Sequence, residues 1–349
     1  MVIYPLFYIF ASTNTKRIPM QLLTPTHISP LHPALRHSDR VVVMGSCFAE
    51  HIGARLSEMK WRTVVNPFGV LYNPLSIAEA MGRLISARPY TEEELTLYPH
   101  GGWSTWMHHS RYAHPDKETA LQLINGSLAI GSQMLAQADM LIVTLGTAWV
   151  YRQKETNQVV GNCHKVPERT FTRQRLTVEE TVETMAAMLA QLWEVNPSLR
   201  MIITVSPVRH LKDTLHGNQL SKATLLLAVD ELCRRFPDRV HYFPAYEIVM
   251  DELRDYRFYA DDMAHPSPQA VEYVWERFVE HMTHREAQDF MTQWTKVARA
   301  LAHRPFRPEG EEYKEFVRQN MLRIMELKEK NPYLEVQNEI DTCHTLLKP

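Results

Sequence analysis

This chain has little charge bias, no paired cysteines, no phosphate-cradling glycine loop and no long apolar run. Lysine and arginine number 38 against 40 aspartate and glutamate, a formal net charge of -2. That balance gives no electrostatic case for nucleic acid or an anionic membrane as a partner. The four cysteines, Cys47, Cys163, Cys233 and Cys343, are far apart and form no C-x-x-C pair. A disulfide framework is thereby excluded, and the thiols read as reduced groups of a cytoplasmic protein. Neither G-x-G-x-x-G nor a P-loop occurs, and Cys163-His164 has no further ligand at metal-binding spacing. Neither a metal nor a cofactor is expected. The apolar stretch Met1 to Ala11 is too short to span a bilayer, and Lys16 and Arg17 follow it, the wrong flank for a secretory signal. Residues 1–19 read as a non-native or disordered extension, with Met20 as the natural start.

What is present is an ordinary globular composition: 349 residues, 45% hydrophobic and 22% charged. The fully apolar run Val41–Met44 and the largely apolar runs Asp139–Leu145, Met201–Val205 and Val240–Phe243 suit strands buried on both faces of a parallel sheet. Trp61–Val65 has strand character too. Helical periodicity follows each of them: from Phe48 to about Lys60, Pro74 to Ile85, Lys117 to Ala138, Thr177 to Glu194, Ser221 to Arg235 and Pro266 to His281. Alternating strands and helices predict an α/β fold, whose ligands bind at the carboxyl ends of the strands. Residues 89–115 form a loop-rich insertion bearing Trp103, Trp106, His108, His109 and His114, either a pocket wall or a surface excursion. Adjacent His108 and His109 point opposite ways in extended chain. Residues 148–162 read as a hairpin. After about His284 the chain is charged and helical, which sets a domain over 20–284 apart from a C-terminal extension over 285–349. That extension packs on the domain or serves self-association into a homo-oligomer.

Two stretches carry chemistry. Val41-Val42-Val43-Met44-Gly45-Ser46-Cys47-Phe48-Ala49-Glu50 ends a strand at a glycine and opens a helix with two candidate nucleophiles. Free N–H groups and the helix dipole favour negative charge there. Tyr259-Ala260-Asp261-Asp262-Met263-Ala264-His265-Pro266-Ser267 contains Asp-x-x-His just before a helix. At that spacing Asp262 reaches Nδ1–H of His265 and leaves Nε2 free as a base. Glu247, Asp251, Arg254, Asp255 and Arg257 are expected to support this turn as a salt-bridge network. His210, His216, Asn218, Ser221 and Lys222 lie on the same side of the sheet. They either bind an anionic part of a substrate or form a solvated loop with Ser221 as N-cap.

Gly45-Ser46-Cys47-Phe48-Ala49, together with the segments Tyr246–Tyr259 and Asp262–Ser267, resembles the GSCFA family over roughly residues 20–285. That family is similar to the SGNH (GDSL-like) hydrolases. The resemblance implies a three-layer α/β/α, flavodoxin-like fold with a parallel sheet. It implies an esterase that removes a small acyl group from a carbohydrate-type ester, or an acyltransferase using the same site. Asp262 and His265 match the superfamily's terminal Asp-x-x-His. Gly69 matches its oxyanion glycine. The superfamily's Gly-x-Asn-Asp is replaced by Gly146-Thr147, so the side-chain oxyanion donor falls to Thr147, Asn162 or Asn73, with His164 beside them. Aligning the glycines puts Cys47 at the nucleophile; a shift of one residue puts Ser46 there. A thiol at a helix N-terminus beside an imidazolium has a lowered pKa. A catalytically silent domain that binds a glycan or a protein is the reading from a different class.

Overall fold

Short runs of valine, isoleucine and leucine can only be buried on both sides if helices cover both faces of their sheet. In the computed structural model this is what the chain builds; it describes residues 23–348, except His100 and Pro308. The extension expected over residues 1–19 lies outside the described residues. In chain order the elements are β1 (Arg40–Gly45), α1 (Cys47–Glu58), β2 (Arg62–Val65), α2 (Pro74–Ser86), β3 (Thr96–Tyr98), β4 (Gly102–Ser104) and α3 (Lys117–Ala136). There follow β5 (Met140–Leu145), β6 (Trp149–Gln153), β7 (Val159–Val160), β8 (Phe171–Arg175), α4 (Val178–Val195), β9 (Arg200–Val205) and α5 (Thr214–Arg235). The chain ends with β10 (Val240–Tyr242), α6 (Ala245–Glu247), α7 (Pro268–Met282), α8 (Arg285–Ala302), α9 (Glu311–Lys330) and α10 (Gln337–Leu346).

The central sheet runs β2-β1-β5-β9-β10, and each neighbouring pair is parallel. Counting these five strands alone, the order is 2-1-3-4-5, the flavodoxin-like arrangement. Side chains alternate across it. Val41 and Val43 join a core with α1, α7 and the C-terminal helices, whereas Val42 and Met44 join the core formed with α2, α3, α4 and α5. The expected three-layer α/β/α architecture is thus present, with all five central strands where the apolar runs stand.

The C-terminal helices complete the first of these cores. Phe290, Met291, Trp294, Val317, Ile324 and Cys343 are buried in the same cluster as Leu56 and Trp61. The Trp294 indole N–H donates to the Glu58 carbonyl at 3.0 Å, and Lys60 pairs with Glu339 at 2.5 Å. Residues 285–346 therefore pack on the domain.

Two local readings need correction. Helix α5 begins at Thr214, seven residues before Ser221, so Ser221 is no N-cap. Asn218 inside that helix bonds the His210 N–H through its side chain at 3.0 Å, which a solvated loop would not do. The expected hairpin over 148–162 is present as β6–β7, and β8 adds a third strand along β6. The acidic and basic residues before the Asp262 turn form no supporting network. Arg254 pairs with Asp251 at 3.4 Å and Arg257 with Asp255 at 3.7 Å, all well exposed, and Glu247 instead accepts from Tyr242 Oη at 2.7 Å.

Trp294 fills the junction between α8 and the end of α1. Trp294→Ala should lower the unfolding free energy by about 3–5 kcal/mol. Equilibrium urea denaturation checks this, and one shared transition by fluorescence and circular dichroism is expected because the helices share a core with the sheet.

Candidate active site

The turn from β1 into α1 is held by backbone contact. Gly45 has φ +135°, and a Cβ there would stand 2.2 Å from the Thr144 carbonyl oxygen of β5. No side chain fits. Its N–H donates to Asn66 Oδ1 at 2.8 Å, and the next N–H, of Ser46, donates to Thr144 O at 3.1 Å. Ser46 is 1% exposed, and its Oγ accepts from the Phe48 N–H at 3.3 Å. It is the N-cap of α1. Cys47, the first helical residue, is half-buried and faces a cavity of ≈ 470 Å³.

That cavity lies at the carboxyl ends of β1 and β5, where the strand order of the sheet reverses. Open α/β sheets place their ligands at this switch point. Tyr72 and Asn73 form one side, Trp149, Tyr151 and Asn162 of the hairpin another, and the loop from Val208 to Asp213 a third. His265 closes it. The loop-rich insertion does not contribute. Trp106 instead lines a larger cleft of ≈ 510 Å³ beside Arg83, Arg88 and Glu94, which holds neither cysteine nor histidine. His108 is fully buried against Phe68, while His109 is half-buried.

His265 Nδ1 and Asp262 Oδ2 are 2.6 Å apart. The other carboxylate oxygen, Oδ1, accepts the N–H groups of Ala264 and His265, each at 2.9 Å. These two backbone donors and the imidazole hold the Asp262 carboxyl down at about 2. The turn itself is closed by Ala260 N–H to His265 O at 2.8 Å and Ser267 N–H to Phe258 O at 2.8 Å, with Met263 at φ +55°. Asp262 thus stays ionised and fixes the ring so that Nε2 faces away from it. Nε2 and the Cys47 thiol border one cavity with no hydrogen bond between them.

The electrostatics at Cys47 correct the expected lowered pKa. Burial and then the Glu50 carboxylate push the thiol above its ordinary value, while the N–H groups of Phe48 and Cys47 and the Lys222 ammonium oppose them. At neutral pH the resting group is a thiol, so a base must remove its proton during attack. Lys222 is itself 1% exposed. Its Nζ donates to Gly146 O at 2.6 Å and Ser206 O at 2.7 Å, tying together the ends of β5 and β9. Burial brings its pKa down to about 7. His210, on the cavity wall, is brought to about 4 by burial and then by Lys222, so it is neutral, and its Nε2 is buried without a partner.

Most of the expected oxyanion donors are already engaged. The Gly69 N–H donates to Asn66 O at 2.7 Å, and this glycine packs against His109 outside the cavity. The N–H groups of Gly146 and Thr147 both go to Tyr72 O, at 2.8 and 2.9 Å. The Thr147 hydroxyl bonds Ser221 Oγ at 3.0 Å. Asn162 lines the cavity, its Oδ1 accepting the His164 N–H at 2.9 Å. His164 is buried away from the site, stacked on Tyr98, with Nε2 bonded to Thr105 O at 2.9 Å. Two donors remain at the nucleophile's side. The Cys47 N–H opens α1 and has no acceptor among the described residues. Asn73 caps α2 by accepting the Ser76 N–H at 2.8 Å through Oδ1, which leaves its Nδ2 for the cavity.

Sequence reasoning offered Lys222 and His210 as binders of an anionic group or as a solvated loop, without seeing that Lys222 is buried between the ends of β5 and β9, and it missed Arg209. A signal for the first existed: Asn218, Ser221, Lys222 and Leu225 recur at helical spacing and form the buried stripe of α5. Among the described residues no three histidine, cysteine, aspartate or glutamate side chains gather as a metal site.

The fold and this geometry define a flavodoxin-like α/β protein with a thiol and a carboxylate-held imidazole at the switch point of its sheet. The chain belongs to the GSCFA family: that family's model matches residues 40–278. A second model, the C-terminal domain of GSCFA domain proteins, matches residues 294–349. No curated protein sequence matches the chain. Among solved structures it is similar to an acetyl xylan esterase, Est2A, from the rumen bacterium Butyrivibrio proteoclasticus. That match has 16% identity and a TM-score of 0.28, and covers 47% of this chain and 44% of the other. No helix among the described residues is long and apolar enough to cross a membrane.

Opposed charges around the thiol give a signed prediction. Glu50→Gln removes a carboxylate that disfavours the thiolate, so the midpoint of Cys47 alkylation by iodoacetamide should move to lower pH. Lys222→Met removes a cation that favours it and should move the midpoint to higher pH. Alkylation rates across a pH series, with Cys47 followed by peptide mass spectrometry, check both directions.

Proposed function

We propose that the protein is an esterase-type hydrolase that cleaves acyl esters through a thioester on Cys47. The observation that carries this reading is the division of labour in the turn. Ser46 is sealed beneath the first turn of α1 as its cap, whereas Cys47 borders the same cavity as His265. His265 Nε2 takes the thiol proton, directly or through one water. The sulfur attacks the acyl carbonyl carbon, and the resulting oxyanion is met by the Cys47 N–H and Asn73 Nδ2. The tetrahedral intermediate collapses, the carbon–oxygen ester bond breaks, and the alkoxide leaves with the proton from the imidazolium. Water, deprotonated by the same nitrogen, attacks the thioester; the thiolate leaves and is reprotonated. Asp262 stabilises the imidazolium in both halves. A carbohydrate-type alcohol accords with the family resemblance and with the aromatic side chains of Trp149 and Tyr151 on the cavity wall.

Hydrolysis of p-nitrophenyl acetate by the purified protein tests the assignment. Cys47→Ala and His265→Ala should each lower kcat by about 10²–10⁴-fold. Ser46→Ala should keep kcat while costing about 1 kcal/mol of stability through the lost cap. Full turnover in Cys47→Ala, or loss of turnover in a folded Ser46→Ala, would reverse the choice of nucleophile. Asn73→Asp keeps an oxygen for the α2 cap but removes the amide donor. It should lower kcat by about 10²-fold, with a Tm close to that of the parent.

A further inference from the structure

The cavity that holds Cys47 is walled by cations on the side facing α5. Arg173, Arg209 and Lys212 line it, against a single carboxylate, Asp213. Asp213 is already paired with Arg173, and Lys212 reaches the exposed Glu168 at 3.2 Å. Arg209 has no acidic partner among the described residues. Its guanidinium lies 4.1 Å from the centroid of the Tyr259 ring and 5.5 Å from that of Tyr256. Its N–H donates to Ala264 O at 3.0 Å, inside the turn that carries His265. The Tyr259 hydroxyl takes part of the guanidinium's hydrogen bonding, and the remaining in-plane N–H donors are left for another group. The backbone bond fixes the position of that group relative to the catalytic imidazole. The neutral His210 beside it offers no competing charge.

We infer that the ester this site takes is anionic, with a carboxylate or phosphate on its acyl or alcohol part bound by Arg209 while the carbonyl meets Cys47. The planar fork of arginine matches either oxyanion in two parallel hydrogen bonds. The cations of Arg173 and Lys212 lie on the same wall and add to the attraction at longer range. Three other charges are near. Asp262, ionised in the turn that Arg209 bonds, acts against an anion, but both its oxygens are engaged by His265 and the Ala264 N–H. Glu50 acts against an anion, but its carboxylate is paired with Arg111 at 3.0 Å; Lys222 acts for it from behind the thiol. The inference rests on the reading of Cys47 as the nucleophile, and it gives that site a substrate class.

A test that needs no ester compares alkylation of Cys47 by iodoacetate and by iodoacetamide at one pH and low salt. The two reagents share the attacking thiolate, so its pKa cancels in the ratio of their rates. With N-acetylcysteinamide as the free-thiol reference, the iodoacetate to iodoacetamide ratio at Cys47 should be higher by on the order of five-fold. Raising the salt to 0.5 M should shrink the excess. Arg209→Gln should remove most of the excess, and Arg209→Lys should retain most of it, which separates lost charge from lost packing. Succinate and inorganic phosphate, each at matched ionic strength, should slow iodoacetamide to different extents, and the stronger protector identifies the oxyanion. A ratio equal to the reference, a ratio unchanged in Arg209→Gln, or a Cys47 that neither reagent modifies would overturn the inference. A raised ratio in a protein that cleaves no ester would leave the anion site standing and remove the hydrolase. Ester cleavage with a ratio at the reference would do the reverse.

Discussion

Everything at the site depends on how closely the end of β1 approaches β5. The backbone of Gly45 occupies the space where any Cβ would meet the Thr144 carbonyl. That contact turns the chain sharply out of the sheet and starts α1 at once. Asn66, fully buried, secures the turn from the other side, its amide oxygen on the Gly45 N–H and its own N–H on Val43 O at 2.8 Å. The consequence is a strict alternation of roles along three residues. Glycine makes the approach, serine satisfies the Phe48 N–H in the first turn of the helix, and cysteine emerges at the cavity. The position of the thiol is thus a product of backbone packing, and the cap serine cannot exchange places with it without unmaking the helix start.

Burial also sets the chemistry by raising the thiol. A helix N-terminus is commonly expected to favour a thiolate, yet here desolvation and Glu50 outweigh the N–H groups of Phe48 and Cys47 and the ammonium of Lys222. The result is a thiol that stays protonated at rest. The Asp262–His265 pair holds its imidazole in a fixed tautomer on the same cavity. Lys222 has a second effect: by binding the carbonyls of Gly146 and Ser206 it holds the ends of β5 and β9 at a fixed separation under the cavity floor. A buried lysine is costly to desolvate. Its two short carbonyl bonds offset part of that cost.

The fold was legible because its signals are local and strong. Five apolar runs separated by helical periods can only form a covered parallel sheet, and the strand ending at Gly45 pairs with β5 because both are buried on two faces. The resemblance at Gly45–Ala49 and at Asp262–Ser267 located both halves of the catalytic reading. The less accurate expectations concerned partners that are distant in sequence. Gly69 looks like an available donor until its N–H is traced to Asn66, three residues back. His164 looks like a cavity residue, but aromatic packing on Tyr98 pulls it into a separate core. Ser221 has the composition of an N-cap, but tertiary bonds from Asn218 and Ser221 extend α5 about two turns further back.

The sequence by itself determined the sheet, the glycine turn and the Asp-x-x-His geometry, because hydrophobic period, a missing Cβ and a three-residue spacing act over short range. Only the tertiary structure decided between Ser46 and Cys47 at the cavity. That choice depends on which side of the first turn of α1 is covered by neighbouring chain. The tertiary structure likewise placed Arg209, with no acidic partner among the described residues, against the turn that carries His265, and a buried Lys222 near the thiol. Charges far apart in sequence interact only when the sheet brings its carboxyl edge together, and no local pattern encodes that meeting.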